Sequence, residues 1–130
     1  MLVIRHQDQP WVKGYYSKIL SRKIVTSAVG AQSFELWEQI IPAGGYIVPH
    51  YHHFEESITF LSGRVVVTLA EETIPVEAGS TLFVPTGVIH GIRNDGREDV
   101  RLLAFLATSK PEVSYPGEKP DSVDWSDNAP

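Results

Sequence analysis

The sequence predicts an all-β fold, a closed barrel or a pair of packed sheets. Short segments rich in Val, Ile, Thr and aromatic residues recur at roughly 8–12-residue spacing, the signature of sandwiches and barrels. Turn-forming clusters separate them: Pro42-Ala43-Gly44-Gly45, Ser62-Gly63, Glu77-Ala78-Gly79, Pro85-Thr86-Gly87 and Asn94-Asp95-Gly96. No stretch sustains the apolar period of a helix.

The expected strands run in order as follows. Residues 2–5 form an apolar run that suits an edge strand, either exchanged with another copy or folded back into its own barrel. Residues 15–20 and 34–41 come next. Along 34–41 alternation places Trp37 and Gln39 on one face and Leu36 and Ile40 on the other, and the pattern leaves open which pair faces inward. Strands 47–52, 56–61, 64–69, 73–76, 81–84, 90–94 and 101–107 complete the set. Beyond Ala107 the composition changes. Lys110-Pro111, Tyr115-Pro116-Gly117, Lys119-Pro120 and an acidic stretch over 121–127 predict an extended tail, with Tyr115 and Trp125 able to pack on the barrel. The expected organisation is one barrel over 1–107 and a tail over 108–130.

Composition narrows the function classes. A chain of 130 residues suits one core, and 42% apolar residues with ten Gly and nine Pro suit a turn-rich globular protein. The net charge is −5, and no basic cluster exceeds the adjacent pair Arg22-Lys23, so no nucleic-acid footprint is present. There is no Cys, which excludes disulfides and thiolate ligation. No run reaches the 18 or so apolar residues of a membrane helix, and the N-terminal apolar run is too short for a signal segment. The expectation is a soluble, cytoplasmic protein that binds neither nucleic acid nor membrane.

Two spaced motifs carry the chemistry. The first is Gly44-x5-His50-x-His52-x3-Glu56-x6-Gly63, and the second Gly79-x5-Pro85-x-Gly87-x2-His90-x3-Asn94. Three imidazoles and one carboxylate suit a divalent first-row transition metal and can leave positions open for substrate. Residues i and i+2 of a strand share a face, so His50 and His52 point together with Val48 beneath them, and His53 points away. Glu56 shares a face with Ile58 and Phe60, and His90 with Ile92 and Asn94. If these faces turn inward, His50, His52, Glu56 and His90 meet, with Ile58, Phe60 and Ile92 lining the cavity and Trp37 and Gln39 as further candidates. Glu55, on the other face, is a rival ligand, and His6 is expected at the surface. Gly44-Gly45, Gly63 and Gly87 mark corners, and Pro85 fixes φ ahead of the His90 strand.

Both motifs, with the stretch 64–78 between them, resemble the two signature motifs of the cupin superfamily, and the match covers 43–107. The resemblance implies a jelly-roll β-barrel (double-stranded β-helix) of the RmlC-like kind and a homodimer. It also implies one divalent metal per chain (Fe, Mn, Ni, Cu or Zn) held by His50, His52, Glu56 and His90. It further implies a metal-dependent enzyme of dioxygenase, isomerase or lyase type acting on a small oxygen-rich or enolisable substrate, with Glu56 as the proton-transfer candidate. The alternative is a non-catalytic sugar- or small-molecule-binding module. Cupin thiol dioxygenases with a Cys–Tyr crosslink are excluded by the lack of Cys. Cupin lyases acting on dimethylsulfoniopropionate carry Tyr where this chain has Ile58.

Overall fold

The computed structural model describes residues 2–14 and 17–117. Ten strands follow one another: β1 (Val12–Lys13), β2 (Leu20–Val25), β3 (Glu35–Ile41), β4 (Tyr46–His50), β5 (Glu56–Ser62), β6 (Arg64–Leu69), β7 (Glu72–Glu77), β8 (Thr81–Val84), β9 (His90–Arg93) and β10 (Val100–Leu106). They form a six-stranded sheet, β1-β2-β3-β10-β5-β8, and a four-stranded sheet, β4-β9-β6-β7, with every pairing antiparallel. This is the jelly roll that the sequence led us to expect. The only helical elements among the described residues are two short 3-10 turns, His6–Asp8 and Ser27–Val29. No helix among the described residues is long and apolar enough to cross a membrane.

Alternation drives the packing. Along β5, Glu56, Ile58 and Phe60 are buried while their neighbours are more exposed, and β10 buries Val100, Leu102, Ala104 and Leu106 in the same rhythm. Val65 and Val67 of β6 and Ile92 of β9 close the core from the other sheet. Registers align Glu56 with Leu106 and Leu106 with Glu35, so one end of the six-stranded sheet presents two inward carboxylates flanking a leucine. Phe60, Leu102, Val100 and Ile41 fill the opposite end. The edge strand β7 carries Pro75 and two glutamates at its ends, which blunts it against further pairing.

The N-terminal expectations need correction. Residues 2–5 form no strand within this chain, and Leu2 and Val3 are 63% and 77% exposed, with no strand among the described residues paired to them. The second strand occupies Leu20–Val25 rather than 15–20: Ser17 and Lys18 take positive φ (61° and 58°), which breaks extended backbone just ahead of it. Residues 15 and 16 lie outside the described residues. So do Trp125 and the acidic stretch of the tail.

Asn94 ties the two motifs together. Its amide donates to the carbonyls of Ile41 and Glu98, while its backbone exchanges hydrogen bonds with Gly44 and Gly45. It is 1% exposed, so the loss of any of these bonds would leave a buried polar group unpaired.

Candidate metal centre

Two strands and the segment that follows the first deliver three imidazoles to one point. His50 ends β4, His52 follows it by two residues, and His90 opens β9 opposite His50. One ligand atom from each lies within 4.8 Å of the others. The His50 and His90 rings are 4.2 Å apart between centroids.

The parity that aims His50 inward is not simple alternation. A register irregularity separates Ile47 from His50 in the β4–β9 ladder, so both Ile47 and His50 line the cavity although three positions separate them. Val48, expected beneath His50, is not in the lining. It turns its carbonyl to the His50 Nδ1 at 2.9 Å instead. Gly91 makes room for this irregularity: a Cβ there would meet the Ile47 carbonyl oxygen at 2.9 Å and the Pro49 nitrogen at 3.1 Å. Beyond the strand, the His52 carbonyl accepts from the Gly87 N–H, so the Pro85–Gly87 turn of the second motif holds the first motif's second histidine.

All three rings are fixed in the same way. Nδ1 of His50, His52 and His90 lies 2.9, 3.0 and 2.9 Å from the backbone carbonyls of Val48, Phe54 and Val88. A carbonyl only accepts, so each Nδ1 carries the proton. In the neutral ring Nε2 is then a bare lone pair, the arrangement metal-binding histidines adopt. His90 Nε2 is the one buried side-chain N or O among the described residues without a hydrogen-bond partner. Glu56 Oε1 sits 3.1 Å from His52 Nε2 and 3.3 Å from His90 Nε2, the latter not aligned as a hydrogen bond.

The electrostatics follow from this packing. Burial and the neighbouring His90 push His50 down to about 4, so it is neutral at ordinary pH. Burial also pulls His52 down, but the Glu56 carboxylate outweighs it and the net shift is upward. Burial would raise Glu56, yet His52 and His90 outweigh it and hold the carboxyl at about 2. An ionised carboxylate beside three inward-facing imidazole Nε2 atoms fits a divalent cation. His50, His52, His90 and Glu56 are the residues that would hold it.

The other candidates divide. Trp37, Gln39, Ile58 and Ile92 line the cavity, which settles the inward face of β3 as that of Trp37 and Gln39. Phe60 does not: it is 1% exposed in the core, one strand step below Ile58. His53 is exposed and faces Glu112, which accepts from its backbone N–H at 2.8 Å and from its ring at 2.9 Å. Glu55 is exposed. His6 contacts Glu38 on the outer face of the sheet rather than standing free.

Sequence reasoning missed several cavity residues. Ser21, Ile47 and Leu106 line the cavity, as do Pro111, Val113 and Tyr115 from the segment after β10. That segment is pinned beside the His50–His52 stretch by a two-bond bridge between Tyr51 and Ser114. Only the Val and Tyr in a Pro-rich stretch hinted at it.

Comparison with known proteins agrees with this picture. The family model described as "Cupin domain" matches residues 37–106. The polyketide synthase CurC of Streptomyces cyaneus is 34% identical over 87 residues, 66% of this chain and 56% of that protein. Auxin-binding protein 1 of Arabidopsis thaliana is 30% identical over 105 residues, 72% of this chain and 52% of that protein. The chain therefore spans about half the length of these two relatives. Among solved structures, the polyketide cyclase RemF from Streptomyces resistomycificus superposes with a TM-score of 0.82 at 24% identity, covering 93% of this chain and 89% of that one.

Proposed function

The chain belongs to the cupin family, and from that premise we propose a metal-dependent enzyme acting on a neutral, planar, enolisable carbonyl compound of the polyketide kind. The observation that carries the metal is the triple Nδ1 anchoring, which leaves three Nε2 atoms converging beside an ionised Glu56. When bound, a divalent metal supplies Lewis-acid polarisation of a substrate oxygen.

The cavity supports the substrate class. Its described lining contains no lysine or arginine, and the Lys23 ammonium beside it is engaged over the Trp37 ring, so the walls offer a dicarboxylate or uronate little cationic hold. Its volume is about 220 Å³. A 150 Å³ apolar cavity accommodates benzene, so roughly one or two fused rings fit within the walls. Ile47, Ile58, Ile92 and Leu106 exclude water and strengthen the electrostatics around Glu56. The names of CurC and RemF lie in the same substrate class.

Glu56 is the group we assign to proton transfer. It touches two of the imidazoles and is the carboxylate that lines the cavity beside them, within reach of a substrate bound there. Isomerisation, cyclisation or lyase chemistry at an enolisable carbon fits such a residue better than chemistry that needs an anion clamp. The test is turnover of neutral 1,3-diketones and polyhydroxynaphthalenes by the full chain loaded in turn with Fe, Mn, Ni, Cu and Zn, beside oxalate and uronates. We expect the neutral set to react. Turnover of oxalate or uronates alone contradicts the substrate class, and no turnover of either set contradicts the enzyme.

The likeness to auxin-binding protein 1 favours a second reading, a binding module without chemistry. Thermal stabilisation by the neutral compounds without product would mark it.

A further inference from the structure

The inward row of β3 holds more than core. Trp37 and Gln39 line the cavity, Glu35 precedes them at the same alternation along β3, and Ser21 of β2 pairs with Gln39 in register. We propose that Trp37 and the Gln39–Ser21 pair form a subsite that binds an oxygen-bearing planar ring, and that Glu35 is the residue that positions the indole. The inference rests on reading the cavity as a substrate pocket, but its geometry is separate from the imidazole cluster.

The indole is held from two sides. Its Nε1–H donates to Glu35 Oε1 at 2.8 Å, and the Lys23 ammonium lies 4.9 Å from the ring centroid. Glu35 is 5% exposed, so its carboxylate is an anchor set inside the barrel rather than a surface contact. The strand partner of Trp37 across the sheet is Ala104, a small residue that leaves space beside the ring, with Ile58 beyond it. A fixed aromatic surface of this kind favours offset stacking with another π-system.

The second part reads oxygen. The Gln39 amide and the Ser21 hydroxyl are 2.9 Å apart. If the amide nitrogen donates, the Gln39 carbonyl and the Ser21 proton remain for a ligand. With the amide turned over, the NH₂ and the Ser21 lone pairs remain. Either way one donor and one acceptor face the cavity, which suits a hydroxyl or enol on the ring. A ring lacking that oxygen would bury the pair unsatisfied, and this mismatch is what discriminates.

The test uses the full chain, metal-free and metal-loaded, with 1,3-dihydroxynaphthalene and naphthalene as probes. Affinity is read by ligand-observed NMR, and the Trp37 indole N–H is followed in a ¹⁵N spectrum, identified by its loss in Trp37→Phe. We expect dihydroxynaphthalene to bind the metal-free protein and to shift the Trp37 signal. Trp37→Leu should weaken it about tenfold, and Trp37→Phe less. Gln39→Leu should erase the preference over naphthalene. Glu35→Leu should move the indole signal and weaken binding, whereas Glu35→Gln, which keeps an acceptor oxygen, should restore both. Equal affinity in Trp37→Phe, Gln39→Leu and wild type overturns the proposal, as does binding that chelation abolishes. Binding that follows this pattern without turnover overturns the enzyme reading and leaves the subsite standing.

Discussion

Replacing Gly91 by alanine tests how the barrel aims His50. The new methyl would lie 2.9 Å from the Ile47 carbonyl oxygen, 3.1 Å from the Pro49 nitrogen and 3.4 Å from the Pro49 Cα. Ordinary contact begins near 3.4 Å, so β4 must retreat by about half an ångström at the irregularity that turns His50 inward. Overpacking of this kind costs about 1–3 kcal/mol. Loss of glycine's freedom in the unfolded chain returns about 0.4–1 kcal/mol, because Gly91 needs no positive φ. The net expectation is roughly 1–2 kcal/mol of destabilisation, or a drop of several degrees in melting temperature for a domain of this size. The displaced atoms immediately precede His50, so metal affinity should fall together with stability, by about tenfold or more. Urea unfolding and metal titration of the same samples measure both, with Gly96→Ala as a control whose methyl meets only the Asn94 Oδ1 at 3.4 Å. Full metal affinity in Gly91→Ala would refute the claim that close approach of β4 to β9 aims the ligand.

Other outcomes follow from the same geometry. Glu38 is buried on the outer sheet face among Arg22, Arg101 and His6; burial raises its pKa, but these partners outweigh it and hold the group at about 2, down from 4.5. A depressed carboxyl stabilises above its unfolded pKa, so on the order of 2 kcal/mol is present above pH 4.5 and is lost as pH falls toward 2. Glu38→Gln should therefore be less stable at pH 7 by chemical denaturation, with the gap narrowing below pH 4.5; a gap constant to pH 3 would contradict this. His53→Ala should leave metal stoichiometry unchanged by elemental analysis, since that side chain is 70% exposed and engages Glu112. Gly63→Ala should destabilise by about 2 kcal/mol or more in urea, because its φ is +75° and a methyl would meet Val100 Cγ2 at 2.8 Å. Wild-type stability there would refute the tight-corner account.

Much of the barrel was legible because its strands obey one rule. The two-residue alternation groups Glu56, Ile58 and Phe60 on one face, as the spacing of the two motifs groups the histidines, and the burial of all three on β5 shows that this face turns inward. The rule fails where a ladder slips. It placed Val48 under His50, and the irregularity in β4 put Ile47 there instead. It is silent where distant segments cover a surface: Glu38 is buried where Arg22, Arg101 and His6 converge on it from other parts of the chain, and alternation along β3 does not announce that. Trp37 and Gln39 were ambiguous in sequence because both faces of β3 carry apolar residues, and the pairing of Trp37 with Ala104 of β10 decided the parity. That Pro111, Glu112, Val113 and Tyr115 line the cavity goes with one backbone bridge, between Tyr51 and Ser114, which no periodicity announces.

Three anchored imidazoles and Glu56 are the groups that would form a metal site. Elemental analysis of the full chain purified without chelator or affinity metal tests it, beside a His50→Ala/His52→Ala control. The account predicts about one divalent transition metal per chain in the wild type and none in the control. No metal in either protein after reconstitution, or the same content in both, would contradict it.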